Sequence, residues 1–369
     1  EPMELDPGVP VDSRFSRTLH RLARRSNERL PRFMLAAFNR ICDAMGLGDS
    51  ILLTISPPIP GMTVYALIPV HNRLKDTQQV IACLRHQTHV SLKIVVIDDG
   101  SDDGTDVYLA QQGDVTTLKG DGNLWWGGAM NLGLSYVLPH AKDSDHVLFM
   151  NNDITIGSDF VATLIRTSQE QRDAVVGAIL RDVNHPETVL GLAPVVDIWG
   201  MRVWERFNTL PDEERINLKP VYEADAISGR GTLYPVRAFR VGGQLYPRLL
   251  PHYYADYELA MRMRRHGFPL VVSTQAIVFS RNEFTVQRQN MSWFEAFFGQ
   301  RSHRNFVRRA VFFSLVGTPR ERLTAVPRMA MFALERAVHT FRCRRSGSLL
   351  KDFKSTLSRS FALVRSFLM

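Results

Sequence analysis

The sequence predicts an α/β protein built around a mostly parallel sheet with helices on both faces. Three observations carry that expectation. Between residues 63 and 150, short apolar runs alternate with helical patterns, which means crossover units and a parallel sheet. The run 147–150 (VLFM) is apolar at every position, as suits a parallel strand covered on both faces. Three strands end in acid- or amide-rich loops: Asp98–Asp99, Asp121–Asn123 and Asn151–Asp153. In open α/β sheets ligands bind beyond the carboxyl ends of strands. Three such ends on one side of a sheet suggest a site for a ligand carrying phosphates and a metal. A carboxylate there suits a hard divalent cation, which takes oxygen ligands. A plain polar strand-to-helix turn is the other reading of Asn151, Asn152 and Asp153.

Taken in order, residues 11–48 read as a basic helical stretch, with Arg14, Arg17, Arg21, Arg24, Arg25, Arg29, Arg32 and Arg40 among Leu22, Leu30, Phe33, Leu35 and Phe38. It is either the solvated face of a packing helix or a surface-binding element. Residues 56–61 (SPPIPG) form a linker by composition. The alternation then opens with a strand over 63–69. A helix over 76–87 turns Val80, Ile81 and Leu84 inward, and strands follow over 92–97 and 115–118. The loop GDGNLWWGG leads to a helix over 130–138 and to the strand 147–150.

The chain has 369 residues, enough for two or three domains, and 45% of them are hydrophobic. Cys42, Cys83 and Cys343 are widely spaced and form no metal-ligand pattern, which points to a reducing compartment. No run of 18 uncharged apolar residues is present, so no bilayer-spanning helix is expected. The opening EPMELDPGVP has neither the basic start nor the apolar stretch of a signal peptide. Net charge is +8 and uneven: residues 301–369 hold 15 Lys/Arg against three acids, a net +12, which leaves −4 for the other 300. A basic tail beside a mildly acidic body points to an anionic surface, membrane or nucleic acid.

The segments ALIPVHNR, KIVVIDDGSDDGT, GNLWWGGAMNLG and FMNND, in that order, resemble the nucleotide-sugar domain of the family 2 glycosyltransferases, inverting enzymes of the GT-A fold. The resemblance covers roughly residues 62–285 and rests on the ordered set, since DDGS alone is a weak signal. NND together with NLWWGG is similar to enzymes that place rhamnose and related sugars on bacterial surface polysaccharides. The implied organisation is a basic helical extension and linker over 1–60, the GT-A domain over 61–285, and a basic amphipathic helical region over 286–369.

The resemblance implies a set of roles. Pro69, His71 and Asn72 would line the base pocket after the first strand, with His71 departing from the more usual Tyr. Of Asp98 and Asp99, the second would accept the imide N–H of uracil or thymine, and a capping or turn role stands beside it for Asp98 and Ser101. Asn123, Asn131, Gly127 and Gly128 would approach the donor, the glycines by letting backbone come close to sugar or phosphate, and Trp126 would floor its pocket. Asp153 would be the metal ligand, joined by Asn152 in place of the usual first acid. The cation, Mg2+ or Mn2+, would then be held weakly and largely by the diphosphate. Gly229, Arg230, Gly231 and Tyr254 would face the acceptor. Asp256, near a helix start within HYYADYELAMRMRRHGF, would be the general base and Glu258 its companion. Ala255 stands where the family usually has Glu, and Ser280 where many relatives have a metal-binding His; both weaken the metal site.

In residues 350–368, Leu350, Phe353, Leu357, Phe361, Val364 and Leu368 fall on one helical stripe flanked by Lys351, Lys354, Arg359 and Arg365. Such a helix lies in a membrane interface, docks on a partner, or packs in the fold. The expected function is therefore sugar transfer from a nucleotide-diphosphate donor to a glycan or lipid-linked glycan, by a peripheral protein on the cytoplasmic membrane face with no nucleic-acid partner. The competing class is a basic α/β nucleic-acid-binding module without catalysis. The tail charge favours it, but no nucleic-acid motif is present and the acidic strand ends repel phosphates. A nucleotidyltransferase would need a glycine-rich loop with Arg and Lys at the first strand end, which the sequence lacks.

Overall fold

The computed structural model describes residues 61–281, 299, 302, 305–324, 327, 328 and 331. The basic stretch 11–48 and the amphipathic stripe 350–368 lie outside the described residues. The chain divides into two units between Pro60 and Gly61, and the second unit holds the sheet.

Its first half is a run of strand–helix units: β1 (Thr63–Val70), α1 (Leu74–Arg85), β2 (Ser91–Asp98), α2 (Thr105–Ala110), β3 (Val115–Lys119), α3 (Trp125–Val137) and β4 (His146–Phe149). β1 pairs in parallel with β2 on one side and β4 on the other, and β3 extends β2 in parallel. The second half contributes β5 (Ile154–Ile156), α4 (Phe160–Glu170), β6 (Val175–Asp182), β7 (Val189–Gly191), β8 (Pro194–Asp197), β9 (Arg202–Glu205), α5 (Asp212–Ile216) and β10 (Val221–Glu223). It continues through β11 (Thr232–Pro235), α6 (Val236–Gly242), α7 (Ala255–Arg265) and β12 (Leu270–Ser280). The main sheet runs β10-β12-β6-β11-β4-β1-β2-β3, with β5 on β12 and β7 on β6, while β8 and β9 form a separate pair. β11 is antiparallel to both β4 and β6 inside the sheet, and the short strands β5, β7 and β10 also run antiparallel to their partners, while β1, β2, β3, β4, β6 and β12 share one direction.

Alternate residues of β1 feed two cores. Val64, Ala66 and Ile68 pack with Val80, Ile81 and Leu84 of α1 and with Val161, Leu164 and Ile165 of α4. Tyr65 and Leu67 pack on the other face with Met130 and Leu134 of α3 and with Leu259 and Met263 of α7. Because both faces are covered, these strands need apolar side chains through their central positions, 64–68 of β1, 94–97 of β2 and 147–149 of β4. That is why they read as continuous runs rather than as an alternating pattern. The expected strands over 63–69, 92–97, 115–118 and 147–150 all form, with ends shifted by a residue.

Two expectations differ. The helix expected over 130–138 starts at Trp125, so the W-W-G-G stretch is its first turn and not a loop. The helix expected over 76–87 forms two residues earlier, as α1 over Leu74–Arg85, and the segment 190–204 is largely strand: the end of β7, then β8 and most of β9. After the sheet come α8 (Phe306–Val316) and α9 (Pro319–Leu323). Asn305 caps α8 by accepting the Arg308 N–H at 2.9 Å. Phe312 and Phe313 are fully buried in the core that holds α3 and α7. The ring of Tyr254 stacks on Phe312 with centroids 4.9 Å apart, Arg308 donates to the Leu249 carbonyl at 2.8 Å, and Arg309 Nε donates to the Met201 carbonyl at 3.1 Å. No helix among the described residues is long and apolar enough to cross a membrane.

Candidate active site

The loops beyond the carboxyl ends of β1, β2, β3 and β4 carry His71, Asn72, Asp99, Asn123, Asn152 and Asp153. At the end of β2, Asp98 accepts the Ser101 N–H at 3.0 Å, which is the turn role. Asp99 is buried and fully engaged by the next loop. Its Oδ1 accepts the Gly122 N–H at 2.8 Å, and its Oδ2 accepts the Leu124 and Trp125 N–H groups at 2.9 and 3.1 Å. A carboxylate has roughly four acceptor sites, so one remains for the imide N–H that the resemblance assigns to it. Gly120 leaves room for this arrangement, since a Cβ there would collide with Asp99 Oδ1.

His71 Nδ1–H donates to the Asp99 carbonyl at 2.6 Å and the ring is otherwise exposed. Asn72 and Arg73 both take left-handed backbone, φ 61° and 66°. The Asn72 N–H meets Ser101 Oγ at 2.8 Å, and its side-chain oxygen accepts the Asp102 N–H at 2.8 Å. Asn72 therefore braces the β2 loop. Pro69 is held in the sheet opposite Ile97. Asn123 stands exposed at the loop tip, in a turn closed by Asp121 Oδ1 at 2.9 Å.

The NND triplet splits. Asn151 Oδ1 accepts the indole N–H of Trp126 at 3.0 Å, towards α3. Asn152 turns the opposite way and donates to Thr77 Oγ1 of α1 at 3.3 Å. Its expected place beside Asp153 as a metal ligand would fall to Oδ1, since the bond to α1 is made by the amide nitrogen. Asp153 Oδ2 pairs with Arg73 Nη1 at 2.9 Å, while its Oδ1 is buried with no hydrogen-bond partner.

No group of three or more His, Cys, Asp or Glu among the described residues could hold a metal ion. Ser280 is paired in the sheet with Ile154, next to Asp153. The orphaned Asp153 Oδ1 is the type of oxygen a hard cation takes. The residues therefore fit a divalent cation held by one protein oxygen, with a diphosphate and water supplying the rest.

Gly127, in the first turn of α3, admits another stretch of the protein's own backbone. The Gly127 N–H donates to the Pro251 carbonyl at 2.7 Å, and a Cβ at 127 would stand 2.7 Å from the Leu250 carbonyl oxygen. A Cβ at 128 would lie 3.2 Å from the Leu124 Cβ and 3.9 Å from Pro247. The close approach that Gly127 permits is that of Leu250 and Pro251 to the helix, which corrects the expectation of sugar or phosphate at that position; at Gly128 the tight neighbour is Leu124, and Pro247 is at ordinary contact distance. Asn131, further along α3, has a buried Oδ1 without a partner, an acceptor left for a hydroxyl.

On the far side, Asp256 lies in the first turn of α7. Its Oδ2 accepts the Gly229 N–H at 2.8 Å and its Oδ1 the Tyr257 N–H at 2.9 Å. Burial pushes its carboxyl up from the ordinary aspartate range; the Gly229 and Tyr257 N–H groups and the Arg230 charge pull the other way. Arg230 is thus within electrostatic reach of Asp256. Gly231 is corrected: it is buried at φ 75°, where a Cβ would meet Val278 and Phe160, so it faces the core and not an acceptor. Tyr254, also left-handed at φ 69°, starts α7 and is drawn to Phe312 of α8.

Glu258 is corrected as a catalytic group. It is 2% exposed and forms a bidentate pair with Arg262, at 2.9 and 2.8 Å. Arg262 also donates to the Gly242 and Gln244 carbonyls. The pair ties α7 to the loop after α6.

The sequence reading missed Asn151 and Arg73. The signal for Asn151 was available, because adjacent residues leaving a strand face opposite sides.

Residues 65–230 match the sequence model of glycosyl transferase family 2. Among solved structures, the chain is similar to GalNAc-T7 crystallised with UDP, GalNAc and Mn2+, at 14% identity and a TM-score of 0.51. That likeness covers 69% of this chain and 47% of that one, so this chain spans about half of its length. It is also similar to S. aureus TarS, at 14% identity and a TM-score of 0.44, covering 69% of this chain and 43% of that one. No curated protein matches the sequence.

Two outcomes are expected. Glu258→Gln strips one partner from a buried ion pair, so stability should fall by about 3–5 kcal/mol, while turnover per folded molecule stays near wild type. Urea unfolding alongside active-site titration reads both; normal stability with lost turnover would return Glu258 to the chemistry. Asp153→Ala should weaken nucleoside diphosphate binding and abolish its response to Mg2+ or Mn2+ together. Calorimetry with and without the cation checks this, and an unchanged affinity and response would remove Asp153 from the site.

Proposed function

Taking residues 65–230 as a family 2 glycosyltransferase sequence on a GT-A sheet, we propose that this protein transfers a sugar from a UDP- or dTDP-sugar to a saccharide or lipid-linked acceptor, with inversion at the anomeric carbon. Its setting would be surface polysaccharide biosynthesis. dTDP-rhamnose is the first donor to try, because NND and NLWWGG resemble rhamnose-transferring enzymes. The observation that carries the reading is one partly buried carboxylate, Asp256, joined through Gly229 and Trp126 to the strand end that bears Asp153.

In a single displacement the acceptor oxygen attacks the anomeric carbon opposite the departing diphosphate, and one base suffices. Asp256 takes the acceptor's proton. A carboxyl pushed up by burial is a stronger base than an ordinary aspartate and is still ionised at the alkaline side of its shift. Asp99 and His71 fix the loops where the nucleotide base would sit, and Arg73 brings a positive charge to the diphosphate end. A divalent cation bound at Asp153 would neutralise charge on the leaving nucleoside diphosphate.

The same reading makes the protein peripheral on the cytoplasmic face of the cell membrane, with the basic region 286–369 against anionic lipid. The net +12 of residues 301–369 supports this, each basic residue near such a surface contributing about 1 kcal/mol, screened by salt. Deleting residues 344–369 should release the protein from anionic vesicles in sedimentation at moderate salt; continued pelleting would exclude the tail as the anchor.

For the chemistry, Asp256→Asn should lower kcat by roughly 10²–10⁴ with donor affinity little changed. The wild-type acid limb should lie above the ordinary carboxylate range, with kcat rising as pH passes through the raised pKa. NMR assignment of the product's anomeric configuration completes the test. Normal turnover by Asp256→Asn, or retained configuration, would sink the mechanism.

A further inference from the structure

An unbroken series of contacts joins the end of β4 to Asp256. Trp126 Nε1–H donates to Asn151 Oδ1 at 3.0 Å. The outer ring of the same indole lies on Gly229: a Cβ added there would stand 2.7 Å from Cη2 and closer still to Cζ2. The Gly229 N–H in turn donates to Asp256 Oδ2 at 2.8 Å. The indole has little freedom to swing. Its edge meets the fully buried ring of Phe149 with centroids 5.9 Å apart. The helix turn that carries it is pinned on one side by the Trp125 N–H on Asp99 and on the other by the Gly127 N–H on Pro251.

We propose that Trp126 is the positioning residue for Asp256, its ring fixing the Gly229 peptide that holds the carboxylate and its N–H fixing that ring to the donor strand. The inference rests on Asp256 being the base. It deepens the proposed function by setting the base and the strand end at the donor site in one frame through a single side chain. A smaller aromatic ring would not fill the space against Gly229; the indole reaches it while bonded to Asn151. The glycine is required because its Cβ position is already occupied by the indole.

The test uses the full chain and three variants. Gly229→Ala forces the ring or the Gly229–Asp256 contact to move, and kcat should fall by about 10²-fold with donor dissociation constant unchanged. Trp126→Phe removes the outer ring atoms and the N–H, so it should lower kcat less and move the acid limb upward. The upward sign arises because the Gly229 N–H holds the Asp256 carboxyl down. The double variant Trp126→Phe/Gly229→Ala should recover at least part of the loss, since phenylalanine vacates the space the new methyl needs.

¹³C titration of the Asp256 carboxyl in the same proteins reads the shift without any turnover. If Gly229→Ala does not fold alone but the double variant does, that rescue supports the contact, and Trp126→Phe carries the pH arm. A double variant no better than Gly229→Ala, or a Trp126→Phe enzyme with wild-type kcat, acid limb and carboxyl titration, overturns the proposal. Asp256→Asn at wild-type turnover instead overturns the reading of the base on which it rests.

Discussion

The Asp99 carboxylate organises the loop and helix beyond β3. Three backbone N–H groups, from Gly122, Leu124 and Trp125, converge on its two oxygens. Hydrogen bonds to an ionised acceptor are roughly twice as strong as neutral ones. Together they close the loop after β3 and start α3 at Trp125, whose backbone is left-handed at φ 56°. A helix begun there presents its first turn to the segment 247–251 and sends the Trp126 indole across the end of β4. Had the loop closed two residues later, the indole would point elsewhere and Gly229 would lose the surface it rests on. The geometry of the candidate site therefore descends from one buried acid at the end of β2.

Much of the frame was legible in the sequence. The strands of the first half announce themselves because the middle of a two-sided parallel sheet leaves little room for a polar residue, and the runs 64–68 of β1, 94–97 of β2 and 147–149 of β4 comply. The polar strand ends were legible for the complementary reason, since only there does the chain leave the core. What misled the reading was local. Two adjacent glycines after two tryptophans look like a turn, yet Gly127 and Gly128 sit in a helix, and at Gly127 the neighbouring segment approaches too closely for any side chain. The pull of a tertiary contact overrode the low helix propensity of glycine.

The carboxylates show a second limit. Asp256 and Glu258 are two residues apart on one helix, about 200° around its axis, so both cannot face the same substrate. The i,i+4 spacing of Glu258 and Arg262 was visible and marks a pair, but burial turned a surface pattern into an internal brace. The NND triplet obeys similar geometry. Asn151 and Asn152 leave the strand on opposite sides, one towards α3 and one towards α1. A motif read as letters treats them as equivalent; the pleat does not.

The helix α8 has a consequence for how freely this domain could be exchanged with a relative's. It is held to Leu249, to Tyr254 and to Met201, so it buttresses both walls beside Asp256 from outside the strand–helix alternation. The family pattern ends at residue 230, before Asp256, before the Glu258–Arg262 brace and before α8. A chimera cut at the edges of that pattern would inherit Asn151, Trp126 and Gly229 from one parent and Asp256 with its supports from another. The unit of inheritance for the chemistry is longer than the unit that sequence similarity picks out, and reaches at least to Val316.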